Sequence, residues 1–137
     1  MKRAVFLDTS AWIAAAVRSQ SRHEAARAAY TAAVRQGYRI VLTPMVLGES
    51  HALFLRLLGI EKATAALEGA MSDPTHVVVP VDEALVKLAV ERWLRPYRDQ
   101  AFSLCDAVSF EVMKREGITR ALSIDHHFVT AGYEIVA

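Results

Sequence analysis

Four acidic residues, Asp8, Glu49, Asp106 and Asp125, stand among apolar neighbours rather than in charged stretches. Asp8 closes the run "AVFLD" and Asp125 closes "ALSID". Glu49 interrupts an apolar stripe of Met45, Ala52 and Leu53 at helical spacing, and Asp106 interrupts one that includes Phe110 and Met113. Singly, each has an ordinary role: Asp8 and Asp125 as helix caps, Glu49 as a partner for Arg56, Asp106 as a first-turn acid favoured by the helix dipole by about 0.3–1 kcal/mol. Jointly they pose a problem, because no Lys or Arg is adjacent to any of them. Two unit charges 4 Å apart repel by about 4 kcal/mol at an effective dielectric near 20. A cluster of such acids calls for a hard divalent cation. Mg²⁺ or Mn²⁺ takes oxygen ligands of this kind, together with water and substrate phosphate.

The elements that must bring these acids together can be read from the apolar runs. Strands are expected at 3–8, 38–43, 75–81 and 119–125, with a closing strand at 133–136. Helices are expected from Thr9 or Ser10 as N-cap, and over 22–37, 44–59, 60–72, 82–97 and 103–117, with a helical turn after Asp125. The strands are continuous apolar runs, and helices separate most of them. That pattern describes an α/β fold with a parallel sheet covered by helices on both faces. Sites in such folds lie beyond the carboxyl ends of the strands. Asp8 and Asp125 are expected on that edge, with Glu49 and Asp106 on the core side of their helices.

The 137 residues are 53% hydrophobic and contain no low-complexity run, which suits one domain over residues 1–137. A net charge of +1 gives no whole-molecule field with which to attract a polyanion. The single cysteine, Cys105, excludes an internal disulfide and is read as a small core residue. Asp8, Thr9 and Ser10 break the apolar core that a secretory signal needs, and Arg56 breaks the longest other apolar run. A cytoplasmic protein with no membrane association is expected.

"FLDTSAW", "VLGES", "SLCDAVSF" and "ALSIDHHF", in this order and spacing, resemble the PIN-domain nucleases, specifically the VapC-type toxins of bacterial toxin–antitoxin pairs. The resemblance spans the whole chain, and its last two motifs carry most of the specificity. It implies a three-layer α/β/α sandwich. It also implies an Mg²⁺- or Mn²⁺-dependent endoribonuclease acting on an RNA substrate, homodimeric and inhibited by a cognate antitoxin protein. Residue by residue, the resemblance places Asp8, Glu49, Asp106 and Asp125 as the four acids of the centre. Ser10 matches the residue supporting the first acid, and Asp99 matches a supporting acid before the third motif. Cys105 stands where Thr is common, and His126 occupies a variable position.

Other readings fit less well. Asp125-His126-His127 suggests zinc, but adjacent histidines rarely share one ion, and His127 reads as a residue packed beside Phe128. A phosphoaspartate enzyme resembling the haloacid-dehalogenase fold needs an Asp two positions after Asp8, where this chain has Ser10. A stand-alone PIN-domain RNA-processing nuclease shares all the motifs. A catalytically silent binding module would use the acids as caps or partner contacts, and would cut no RNA.

Overall fold

A computed structural model describes residues 3–137. Five strands, β1 (Ala4–Leu7), β2 (Arg39–Leu42), β3 (His76–Val78), β4 (Arg120–Leu122) and β5 (Glu134–Val136), form one sheet in the order β3-β2-β1-β4-β5. Every pairing is parallel. Successive residues Val5, Phe6 and Leu7, and Ile40, Val41 and Leu42, are all buried. Alternate residues of a strand face opposite sides, so the central strands are covered from both faces. This explains why they read as unbroken apolar runs.

The helices are α1 (Thr9–Ala16), α2 (His23–Arg35), α3 (Pro44–Leu58), α4 (Ile60–Ser72), α5 (Glu83–Ala89), α6 (Leu104–Glu116) and α7 (His127–Thr130). Their starts follow local chemistry. The side chains of Thr43, Asp82 and Ser103 each accept a backbone N–H at the head of α3, α5 and α6. The cap of α1 is Asp8 itself, one or two residues earlier than expected. Among the described residues, no helix is long and apolar enough to cross a membrane.

Three boundaries depart from the sequence reading by three residues or more, the first being the strand expected over 75–81, which ends at Val78. The strand expected over 119–125 ends at Leu122, so Asp125 lies three residues beyond it rather than at its end. The helix expected over 82–97 is α-helical only to Ala89. It then widens into a single π turn, Val90–Leu94, in which the Arg95 N–H reaches back to the Val90 carbonyl at 3.0 Å. The side chains there explain the widening. Arg92 Nη1 and Trp93 Nε1, adjacent in sequence, donate to the two oxygens of buried Glu111 on α6, at 2.8 and 3.0 Å. A buried carboxylate needs both partners, and π turns occur where such demands override the regular helical ladder.

Glu111 therefore clamps α6 to the preceding segment. Glu111→Ala is expected to destabilise the fold by about 2 kcal/mol, because it leaves the buried indole N–H of Trp93 without an acceptor, while the half-exposed guanidinium of Arg92 stays solvated. Glu111→Gln, which keeps one acceptor oxygen, should lose less. Urea unfolding followed by circular dichroism measures both.

Candidate active site

The parallel register between β1 and β4 sets the geometry of the first acid. Leu7 pairs with Leu122, so Asp8 and Ser123 leave the sheet side by side. The Asp8 N–H continues the ladder to the Leu122 carbonyl at 3.0 Å. Asp8 is only 4% exposed. Its Oδ2 accepts the hydroxyls of Ser10 at 2.6 Å and Ser123 at 2.9 Å, and the Ser10 N–H at 3.4 Å. Ser10 Oγ in turn accepts the Ile124 N–H at 3.1 Å, and Ser123 Oγ accepts the Asp125 N–H at 3.0 Å. Two serines thus lock the first acid to the loop that carries the last.

The other two aspartates are held the same way. Asp106 and Ser103 form a reciprocal capping box at the head of α6, in which Asp106 Oδ2 accepts the Ser103 N–H at 3.1 Å. The same Oδ2 lies 3.1 Å from His127 Nδ1. The backbone N–H of His127 donates to Asp125 Oδ1 at 2.9 Å, and its ring Nδ1 stands 3.7 Å from that oxygen. An edge-on contact with Phe102, centroids 5.1 Å apart, orients the imidazole. His127 is therefore not simply packed beside Phe128: it bridges two of the acids.

Glu49 departs from expectation in its exposure. The buried residues of α3 are Val46, Leu47, Ser50 and Phe54, and Glu49 stands on the open side of the helix. It still reaches the site, because Ser50 Oγ donates to Thr9 Oγ1 at 3.3 Å and ties α3 to the head of α1. One open pocket of about 380 Å³ is lined by Asp8, Ser10, Glu49, Asp106, Asp125 and His127, with Leu53 and Ala101 in its wall. Asp99 does not line it; it is exposed and accepts the side-chain amide of Gln100 at 3.3 Å.

The electrostatics follow from this crowding. Burial pushes the Asp8 carboxyl up to about 6, with the charges of Asp106 and Asp125 adding to it and the Ser10 and Ser123 hydrogen bonds opposing it. The Cys105 thiol is raised too, by burial first and then by Glu49, Asp8 and Asp106, so it stays protonated in the core. Among the described residues no Lys or Arg forms an ion pair with any of the four acids. Each aspartate spends one oxygen on the hydrogen bonds above: Oδ2 of Asp8 and Asp106, Oδ1 of Asp125. The second oxygen of each is left for a ligand. Asp106, Asp125 and His127 present ligating atoms all within 4.8 Å of one another. Hard oxygen donors, fixed from behind and short of positive charge, fit a divalent cation such as Mg²⁺ or Mn²⁺.

Sequence reading missed Ser123, His127 and Ser50. The first two were hidden because only the strand register and the loop after β4 bring them to the acids. The third looks like any small residue on a helix.

Comparison with known proteins bears on what this pocket belongs to. Residues 5–132 match the family model described as PIN domain. The chain is 32% identical over 131 residues to the 23S rRNA-specific endonuclease VapC20 of Mycobacterium tuberculosis, covering 94% of this chain and 95% of the relative. The crystal structure of VapC20, described as a sarcin–ricin loop cleaving toxin, superposes with a TM-score of 0.85 at 30% identity, over 95% of this chain and 96% of that one. FitAcB from Neisseria gonorrhoeae superposes with a TM-score of 0.68 at 17% identity, over 97% and 96% of the two chains, a likeness of fold alone. With its parallel sheet, its acids gathered at the carboxyl edge and this degree of identity, the chain belongs to the PIN-domain family and is of the VapC type.

Proposed function

We propose that the protein is a metal-dependent endoribonuclease, the toxin of a toxin–antitoxin pair, and that it cuts large ribosomal RNA as VapC20 does. The observation that carries this reading is the pocket itself: four carboxylates converge on it, three of them braced from behind, with no Lys or Arg pairing with any of them among the described residues. Asp8, Asp106 and Asp125 would hold Mg²⁺ or Mn²⁺, with Glu49 on the open side. A bound divalent cation orients water for in-line attack and offsets the charge that develops on the phosphoryl oxygens. The serines and His127 keep the carboxylates from turning away, and the open face of the pocket admits an RNA backbone. Attack on phosphorus forms a new P–O bond and breaks the bond to the 3′ oxygen. The products are a 5′-phosphate and a 3′-hydroxyl, the latter taking up a proton.

Cytoplasmic location, a cognate antitoxin and a homodimer complete the proposal. Leu55, Ile60 and Met71, on α3 and α4, stay exposed and support an interface. Light scattering at micromolar concentration should give twice the chain mass of 15.1 kDa.

Asp8→Asn and Asp106→Asn should each lower cleavage of ribosomal RNA by on the order of 100-fold or more, since removing even the partners that brace a metal's ligands costs about 10–100-fold. Asp125→Asn and Glu49→Gln should also impair it, and Asp99→Asn should leave it near normal. Primer extension on treated ribosomes reads the cuts, with circular dichroism as the control for folding. Near-normal turnover in both Asp8→Asn and Asp106→Asn would overturn the reading.

The raised Asp8 carboxyl makes a second prediction. Its folded value of about 6 lies above an unfolded value of about 3.9, so the folded state holds the proton more tightly. Without metal, this contribution is fully present below pH 4 and is lost as pH rises from about 4 through 6. The loss at pH 7.5 is about 3 kcal/mol. In chelator at pH 7.5, Asp8→Asn should therefore melt above wild type. Millimolar Mn²⁺ should raise the wild type and move the variant far less.

A further inference from the structure

A second groove adjoins the acid pocket. It is lined by Ser10, Ile13, Gln20, Leu53, Arg56, Leu57 and Ile124, and has a volume of about 540 Å³. Ser10 and Leu53 line both, so this trough adjoins the acid pocket along α1 and α3. Its floor is apolar: Ile13 is buried, Leu53 and Ile124 are partly covered, and Leu57 is 47% exposed. Besides Ser10, whose hydroxyl serves Asp8, its polar groups are two. The exposed Arg56 guanidinium and the half-buried Gln20 side-chain amide make no ion pair or hydrogen bond among the described residues.

The spacing along α3 gives the trough a direction. Glu49, Leu53 and Arg56 lie at i, i+4 and i+7, on one stripe of the helix. Seven residues at 1.5 Å each put Arg56 about 10 Å along the axis from Glu49. A strand whose scissile phosphate lies over the acids would carry its phosphate one or two nucleotides away to Arg56. The acid pocket repels an incoming polyanion, so a guanidinium just outside it is where attraction must come from. An unpaired base, which is flat and largely apolar on its faces, suits a floor of Ile and Leu with one amide at its edge.

We infer that this trough is the subsite for an unpaired nucleotide flanking the scissile bond, with Arg56 on its phosphate and Leu53, Leu57 and Ile13 beneath its base. The inference rests on the nuclease reading and deepens it. It places recognition on the α1–α3 side of the site.

The test is binding of a fluorescein-labelled RNA stem–loop, followed by anisotropy over a range of salt concentrations. It is done in the Asp8→Asn background, so that the RNA stays intact. Adding Arg56→Gln should weaken binding about tenfold and lower the slope of log K against log salt by about 0.7–0.9, the loss of one phosphate contact. Leu57→Asp should weaken binding as much. Arg35→Gln, at the far end of α2 beside the start of β1, should change neither. All three positions are exposed, so folding is not at stake. If Arg56→Gln and Leu57→Asp bind like the parent while wild type still cuts RNA, the trough takes no nucleotide and the inference fails alone, leaving the groove to an amphipathic peptide. If wild type neither binds nor cuts RNA, the nuclease reading fails and the subsite with it.

Discussion

A carboxylate buried at the end of the central strand, with no cation beside it, is the constraint around which this molecule is arranged. Asp8 leaves β1 where the sheet is most enclosed, and its charge is disfavoured there. The fold responds by supplying neutral donors to one oxygen only. Ser10 comes from the helix that Asp8 itself caps, and Ser123 from the neighbouring strand end. Full satisfaction of both oxygens would make a stable structural acid. Half satisfaction leaves a site with an unmet demand for positive charge.

The same one-sided bracing recurs at Asp106 and Asp125, through Ser103 and His127. Each brace comes from an element that is itself anchored. The head of α6 is fixed by its capping box, and its middle by Glu111, which gathers Arg92 and Trp93 from the π turn. The aromatic cluster of Trp93, Tyr97, Phe102 and Phe110 then carries that rigidity to Phe102, against which His127 rests. A buried carboxylate outside the pocket, paired with a half-exposed arginine, thus bears on the ring that spans two of the acids.

Much of this was legible in the residues. Apolar runs gave away the parallel sheet, because strands covered on both faces cannot alternate. Acids interrupting apolar stripes marked the pocket, because a charge among hydrophobic neighbours demands a reason. What escaped depended on register and on loops. Ser123 acquires its role only because Leu122 pairs with Leu7, and His127 only because the chain turns after β4. A stripe of Met45, Ala52 and Leu53 resembles a core face and points Glu49 inward by sequence, while the buried side of α3 is Val46, Leu47, Ser50 and Phe54. The π turn was invisible to any reading by helical period, because two adjacent side chains seeking one distant carboxylate cause it.

The pairing of Leu7 with Leu122 also limits how such a chain can diverge. Side chains on a strand alternate, so one residue inserted or deleted between Val5 and Asp8 would turn the acid to the opposite face of the sheet. Replacement of Val5, Phe6 or Leu7 by another apolar residue leaves its direction unchanged. The direction of the acid therefore constrains the length of β1 more strictly than the identity of its apolar residues. VapC20 shares this backbone at a TM-score of 0.85 with 30% of its residues identical.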